Sequence, residues 1–427
     1  MNIPSLHQLF LQSSGVCTDT RNIHRDSIFF ALKGENFNGN LFAQEALDKG
    51  ARAVVIDEEN YHKTNGDTIL VENVLLTLQQ LASFHRKYLG LPIISLTGSN
   101  GKTTTKELIN AVLSQKFKTI ATQGNLNNHI GVPLTLLAMT KETDMGIVEM
   151  GANHLGEIKL LSDIAQPDYG YITNFGKAHL EGFGSLEGVV QGKTELYQYL
   201  KKYGKKVFVN ANDPKQVANA TKIDSITFGT EHSDYNITLL DSSNRLLVAF
   251  NNTEFQSNLV GAYNFANLSA AIAIGAYFKV STEKIKQGIE SYVPSNNRSQ
   301  LIKKGSNTIL MDAYNANPTS MRAALENFRL TPGRSKVLIL GDMFELGKDA
   351  APEHQQIVDL LRENPFGQVY LVGSNFFMAS AKNAPHITQS KTFEEFKKVL
   401  LGKLPQDATI LIKGSRGMAL ERILDLL

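Results

Sequence analysis

The segment "IISLTGSNGKTTTKEL" at positions 93–108 contains a glycine-flanked turn that ends in Lys102 and Thr103. Backbone N–H groups of such a turn, together with a following helix N-terminus, favour a bound phosphate. Lys102 can reach the β- and γ-phosphates of a nucleotide, and the Thr103 hydroxyl can ligate Mg²⁺. The spacing departs from the usual G-x-x-x-x-G-K-[ST] loop. Its first glycine would fall at position 96, which is Leu96, and the nearest earlier glycine is Gly98. Three further groups have chemistry to offer. Glu149 closes the apolar run "GIVEM", and a carboxylate at the end of a strand beside the loop can hold Mg²⁺ directly or through water. Read alone, it is equally a capping or solvated carboxylate. His179 stands in "NFGKAHLEGFGS", after another apolar run; a single histidine there is ordinarily structural or solvent-facing. Lys193, in "QGKTELYQYL", reads as the start of a helix, where a lysine is ordinarily a solvated charge.

These residues need a scaffold, and the chain supplies three blocks. The first, residues 1–82, has short strand-like pieces, "DSIFFAL", "ARAVVID" and "DTILV", around one helix at Leu41–Lys49. The second, residues 83–294, alternates strand and helix patterns, with "PIISLTG", "MGIVEMG", "YGYITNFG" and "KKVFVNAN" as strands and a helix beginning at Lys106. Such alternation predicts a parallel, doubly wound α/β sheet. A small-residue-rich helix at the end of "GAYNFANLSAAIAIGAYF" should pack inside this block. "VPSNNRSQ" breaks the pattern and reads as a linker. The third block, residues 295–427, repeats apolar runs ("NTILMDAY", "KVLILGD", "QVYLVG", "ATILIKGS"), each followed by a turn and a helix pattern, as in a Rossmann-like unit. Ligands bind such sheets at the carboxyl ends of strands, so the loops after these runs are where chemistry is expected.

A chain of 427 residues is too long for one ordinary core. With 43 basic against 41 acidic residues, the net charge of +2 offers no electrostatic reason to expect nucleic acid or an anionic membrane surface. Cys17 is the single cysteine, so no intrachain disulfide forms. No Lys or Arg precedes Arg21, unlike the charged start of a secretory signal. The most apolar stretch, Leu268–Phe278, is shorter than the roughly 18 residues of a membrane span. A cytoplasmic protein without a membrane span is expected, with a monomer as the default.

"TGSNGKTTT", "TQGNLNNHIGVPLTLL", "VEMGANHLGEI", "TNFGKAHLEGFGS", "GKTELY", "GAYNFANLSAA", "DAYNANPTSM", "LGDMFELG" and "KGSRGMALERI" occur in this order. Together they resemble the Mur ligase family of ATP-dependent amide ligases, whose phosphate loop is likewise shorter than the general form. The likeness spans nearly the whole chain. "DAYNANPTSM" with "LGDMFELG" resembles the members that add D-Ala-D-Ala to UDP-N-acetylmuramoyl-tripeptide. The D-N-P-R motif typical of diaminopimelate- or lysine-adding relatives is absent.

The resemblance implies roles residue by residue. Gly98, Ser99, Asn100, Gly101, Lys102, Thr103 and Thr104 would cradle ATP. Thr103, Glu149 and His179 would hold Mg²⁺, two ions in all. Lys193 matches a lysine carbamylated by CO₂; a carbamate is an anion able to support the second metal, where a cation would repel it. Asn267 matches a residue contacting adenine, Asp312 one that binds ribose, and Tyr314 and Asn315 lie along the same nucleotide-facing loop. Arg298 matches an arginine that reaches the γ-phosphate, making Lys102, Lys193, His179 and Arg298 the implied catalytic set. Tyr263 stands where the family often has His. Thr18, Asp19, Thr20 and Arg21, with Asn125, Asn127 and Asn128, would face the UDP substrate, although an Asn-rich loop equally serves turn formation. Asn38 and Asn40 replace an Asp and a His of the family pattern. Lys413, Ser415, Arg416 and the start of the following helix would hold the carboxylate of the incoming dipeptide. The implied reaction phosphorylates the tripeptide carboxylate and lets the dipeptide amine attack the acyl phosphate. Domain closure hinged near Ser295–Arg298 would exclude water from it.

Two other readings share parts of these motifs. A folylpolyglutamate-type or amino-acid-adding relative would share the ATP motifs but not the UDP-domain likeness. A nucleotide switch would usually carry N-K-x-D for guanine, and no such tetrapeptide occurs.

Overall fold

The computed structural model describes residues 1–64, 66–333, 335–364, 366–403 and 405–427. In the N-terminal domain four parallel strands lie in the order Val16–Cys17, Ile28–Phe30, Ala53–Ile56 and Thr68–Leu70. The helix predicted at Leu41–Lys49 is shorter, running Ala43–Asp48 after a 3₁₀ turn at Gly39–Phe42. The Asn38 side chain accepts from the Asn40 N–H and tightens the chain there. A longer helix, Val74–Leu89, was not legible in the sequence. Asn73 caps it and Gly90, in the left-handed region, stops it. It runs through position 82, where the first block was expected to end. It packs on the helix Ile3–Leu11 and on the helix Gly131–Leu137, so it joins two domains. Its core-facing surface includes Gln79, His85 and Arg86, which disguises the apolar pattern.

The central sheet has seven parallel strands in the order Tyr235–Asn236, Asp224–Gly229, Lys206–Asn210, Tyr169–Ile172, Ile93–Thr97, Met145–Glu149, Thr119–Ala121. Ile93–Thr97 is buried along its whole length, as suits an unbroken apolar run covered on both faces. Leu108, Val112, Ala270 and Ile274, from the helices Lys102–Leu113 and Phe265–Tyr277, cover Ile94 and Leu96 on one face. The helices Val74–Leu89, Glu157–Ala165 and Leu186–Lys202 pack with Ile93, Val148 and Ile172 on the other. Phe265–Tyr277 is the predicted small-residue helix, and the approach is close: a Cβ on Gly275 would lie 2.4 Å from Val112. An antiparallel sheet of three strands, Thr238–Asp241, Arg245–Phe250 and Thr253–Val260, follows.

Two helix starts differ from expectation. The phosphate-loop helix begins at Lys102 rather than Lys106, because Gly101 turns the chain into it at φ +78°. Lys193 lies in the middle of Leu186–Lys202, not at its start, because Ser185 accepts from the Gly188 N–H and caps the helix earlier.

The C-terminal sheet has six strands in the order Gln300–Lys304, Asn307–Asp312, Ala408–Lys413, Ser335–Gly341, Gln368–Val372, Ile387–Ser390. Only the Gln300–Lys304 edge is antiparallel. Residues 293–299 of "VPSNNRSQ" form no helix or strand, and Gln300 opens the edge strand Gln300–Lys304. No α-helix follows "KGSRG", contrary to expectation. Ala419 takes φ +47° and divides the segment into 3₁₀ turns at Arg416–Met418 and Leu420–Asp425; a left-handed residue cannot continue an α-helix. Among the described residues no helix is long and apolar enough to cross a membrane.

Candidate active site

A cavity of about 810 Å³ opens where the carboxyl ends of the central and C-terminal sheets meet, the usual ligand position in open α/β sheets. Ser99, Asn100, Gly101, Lys102, Thr103 and Thr104 line it from the central domain, with Asn125, Asn127, Asn128, Glu149, His179 and Asn267. Arg298, Asp312, Tyr314, Asn315 and Lys413 line it from the C-terminal side.

The loop at Gly98–Lys102 can exist only with glycine at two positions. Gly98 has φ +145°, and a Cβ there would lie 2.0 Å from Thr173 Oγ1; Gly101 has φ +78°, and a Cβ would lie 2.5 Å from Asn267 Oδ1. The neighbouring strand-end loop pins the turn. Ser99 N donates to Asn174 O at 3.1 Å, Ser99 Oγ to Gly176 O at 2.9 Å, and Asn100 N to Asn174 Oδ1 at 3.0 Å. Lys102 Nζ donates to Gly98 O at 2.8 Å. Burial lowers its pKa from the ordinary lysine value, with Glu149 opposing and Arg298 adding to the shift.

Glu149 is 1% exposed. Its Oε1 accepts from Thr103 Oγ1 at 3.2 Å and from Asn127 Nδ2 at 2.8 Å. Among the described residues its Oε2 is buried with no partner, an arrangement that suits a cation between Thr103 and the cavity. Among the described residues no cluster of three His, Cys, Asp or Glu side chains forms a metal cage. An ion here would therefore draw further ligands from phosphate and water, as Mg²⁺ ordinarily does. His179 lines the cavity, and its Nδ1 is hydrogen-bonded to Glu345 of the C-terminal domain.

Lys193 is not among the lining residues. Read as a surface charge, it is instead fully buried, with Nζ donating to Ala152 O at 3.0 Å and lying 5.0 Å from the Phe183 ring centroid. Burial, and secondarily the Lys102 charge, push its pKa well below the ordinary lysine value. A helix position alone could not reveal this; the packing of Phe183 against Gly192 around it could not be read from spacing.

On the opposite wall the Arg298 guanidinium stacks 3.5 Å from the Tyr314 ring centroid, and among the described residues its buried Nε has no partner. Asp312 Oδ2 accepts from Lys413 Nζ at 2.6 Å and Oδ1 from Ser299 N at 3.2 Å. Carboxylate oxygens have further lone pairs, so a ribose hydroxyl remains compatible. Asn315 Oδ1 accepts from Ala316 N at 2.9 Å. Asn267 accepts from Thr105 Oγ1 at 3.0 Å and donates to Asn264 Oδ1 at 2.8 Å. Asn128 Oδ1 accepts from Gly131 N at 2.9 Å, so this amide builds the turn. Tyr263 contacts Ser299 Oγ through its hydroxyl at 3.0 Å.

The remaining expected residues lie outside the cavity lining. Arg21 pairs with Asp19 at 2.6 Å on the surface of the N-terminal domain; Thr18 and Thr20 flank Asp19. Ser415 is 2% exposed, with Oγ accepting from Phe344 N at 2.8 Å, and Arg416 is exposed and paired with Glu421 at 2.9 Å. Asn38 and Asn40 brace their loop against Glu58 and Asp57 at 3.0 and 2.9 Å. Three cross-domain groups went unnoticed in the sequence: Lys177, Asn317 and Glu345. Glu345 lies inside "LGDMFELG", which carried its signal only as a motif.

Comparison with known proteins agrees with this architecture. Residues 12–86 match the Mur ligase family catalytic domain, 96–275 the Mur ligase middle domain, and 297–416 the Mur ligase glutamate ligase domain. The UDP-N-acetylmuramoyl-tripeptide–D-alanyl-D-alanine ligase of Bacillus subtilis is 38% identical over 96% of this chain and 92% of its own length. The ligase of the same name from Escherichia coli is 33% identical over the same shares. MurF from Acinetobacter baumannii superposes with a TM-score of 0.87 at 32% identity, covering 98% of this chain and 97% of that one. MurF from Thermotoga maritima in complex with ADP gives 0.83 at 26% identity, covering 97% of each. With near-complete coverage and all three domains in order, the chain belongs to the Mur ligase family.

Proposed function

We propose that this protein is an ATP-dependent amide ligase that joins D-Ala-D-Ala to UDP-N-acetylmuramoyl-tripeptide, producing the UDP-linked pentapeptide used in peptidoglycan synthesis. The observation that carries this reading is the cavity shared by two domains, with Ser99–Thr104 on one wall and Arg298, Asp312 and Tyr314 on the other. The names of the relatives and the ADP complex of one of them support the nucleotide and the substrates. We place the domain limits at 1–82, 83–294 and 295–427, with the Val74–Leu89 helix shared across the first limit.

A carboxylate does not condense with an amine in neutral water. Phosphoryl transfer to the tripeptide carboxylate creates an acyl phosphate with a good leaving group, and the dipeptide amine then displaces phosphate through a tetrahedral intermediate. Lys102 and the loop N–H groups hold the γ-phosphoryl, and Arg298, preorganised on Tyr314, faces the same charge. Mg²⁺, two ions in this reading, would supply Lewis-acid stabilisation of the phosphoryl oxygens at Thr103, Glu149 and His179. Lys193 is buried, and burial lowers its basicity, which favours the nucleophilic free amine. Attack on CO₂ forms an N–C bond and releases a proton, leaving a carbamate anion. Asn267 and Asp312 take adenine and ribose, with Tyr314 and Asn315 beside them. Thr18, Asp19, Thr20, Arg21, Asn125, Asn127 and Asn128 serve the UDP substrate. Of the dipeptide residues, Arg416 reaches solvent, and Lys413 and Ser415 position its loop.

The test is direct. With ATP, Mg²⁺, the UDP-tripeptide and D-Ala-D-Ala, pentapeptide should form with dipeptide-dependent phosphate release. ATP turnover indifferent to both substrates, or product formed with a free amino acid instead of the dipeptide, would defeat the reading.

A further inference from the structure

We infer that Glu345 is a positioning residue for the metal-binding histidine, reaching from the C-terminal domain to hold His179 so that the cation site is complete only when the two domains dock. The inference rests on the reading of His179 as a Mg²⁺ ligand.

The contact is specific. His179 Nδ1 donates to Glu345 Oε2, so Nε2 is the ring nitrogen left for a metal, and among the described residues it has no protein partner. A ligating histidine ordinarily gives its second N–H to a carboxylate, which orients the ring and raises its basicity. Here that carboxylate belongs to another domain. The Glu181 N–H donates to Glu345 O at 3.2 Å, so backbone and side chain of Glu345 both engage the loop that carries His179.

Both partners sit in left-handed backbone conformations, His179 at φ +53° and Glu345 at φ +62°. Such conformations persist in residues other than glycine when the surroundings over-determine them. The docking contact beside them supplies that constraint. Lys177 Nζ pairs with Glu353 Oε1 at 2.5 Å, and Lys177 N donates to Thr319 Oγ1 at 3.0 Å. Lys177, His179 and Glu181 thus alternate along one loop, each gripping the C-terminal domain. By linkage, a site that binds a cation more tightly in the docked arrangement must itself favour docking when the cation binds.

The experiment uses the full chain with Mn²⁺ as the probe, titrated by electron paramagnetic resonance with a non-hydrolysable ATP analogue present. Small-angle scattering follows compaction in the same samples. Glu345→Ala should weaken Mn²⁺ binding by about 10- to 100-fold and lose the Mn²⁺-dependent compaction. Glu345→Gln, which still accepts from Nδ1, should retain most of both. Lys177→Met, which removes the ion pair to Glu353 and leaves the Glu345 side chain in place, should weaken Mn²⁺ binding through docking and serves if Glu345→Ala does not fold. Native Mn²⁺ affinity in the Glu345→Ala and Lys177→Met proteins overturns the inference. His179→Ala separates the two levels: if native binding does not depend on His179, the reading of His179 as a ligand fails and the inference with it. If binding depends on His179 but not on Glu345, only the inference fails.

Discussion

Asn317 Nδ2 donates to Asn100 Oδ1 at 2.7 Å, so the cap of a C-terminal-domain helix is bonded to the middle of the phosphate loop. The same Asn317 side chain accepts from Ser320 N at 2.9 Å and holds the first turn of the helix Pro318–Leu330. The two functions can be separated. Asn317→Asp keeps the capping oxygen but places a carboxylate beside the phosphates. It should melt near the native temperature and bind ATP roughly tenfold more weakly, about 1.4 kcal/mol. Asn317→Ala should also lose about 1 kcal/mol of stability with the cap. Thermal melts and nucleotide titration of both variants check this; native ATP affinity in Asn317→Asp would disprove the coupling.

Lys193 is fully buried, and burial holds the pKa of its amine well below the ordinary lysine value. Lys193→Ala should abolish ligation, and short carboxylic acids added to the assay should partly restore it by standing in for the proposed carbamate. Lys193→Met fills the space and should fold normally while remaining inactive and beyond rescue. Full activity in Lys193→Ala would remove this residue from the site.

Gly98 tolerates no side chain, since a Cβ would collide with Thr173 Oγ1 at 2.0 Å at a φ of +145°. Gly98→Ala should cost on the order of 1–3 kcal/mol of stability and eliminate measurable nucleotide binding. Urea unfolding with a nucleotide titration provides the check. Wild-type binding in this variant would show that the loop can rearrange freely.

His7 and His85 form a buried pair whose tautomers follow from their partners. His85 Nε2 faces Met139 O at 2.9 Å and must carry the hydrogen, so its Nδ1 accepts from His7 Nε2 at 2.9 Å. Burial lowers both pKa values, and His85 further lowers that of His7. In the unfolded chain both rings titrate near about 6.5. Stability from the neutral pair is therefore complete above that pH and is lost as pH falls through the depressed folded values. The urea midpoint should drop between pH 8 and pH 5, and His85→Gln should show a smaller drop. An equal pH dependence in both proteins would assign the effect elsewhere.

Much of the site was legible because strand ends and glycine turns leave local signatures. Ile93–Thr97 reads as a buried strand, Gly98 and Gly101 punctuate a phosphate turn, and Glu149 and His179 each follow an apolar run. The helix Val74–Leu89 was not legible, because its interior face buries Gln79, His85 and Arg86 through hydrogen bonds to residues far along the chain. No periodicity marks a polar side chain whose partner is distant. The turns after Lys413 were misread as a helix because a left-handed Ala419 has no sequence signature.

What the sequence by itself determined is the local chemistry: a shortened phosphate loop, the order of strands and helices, and motifs dense enough to indicate a family. The tertiary structure decided what those groups can do. It buried Lys193, occupied Lys413 with Asp312 at 2.6 Å, and set Glu345 against His179 from another domain. The physical reason is range. Backbone preference acts over a few neighbouring residues, whereas desolvation and charge pairing depend on which surfaces the folded domains bring together.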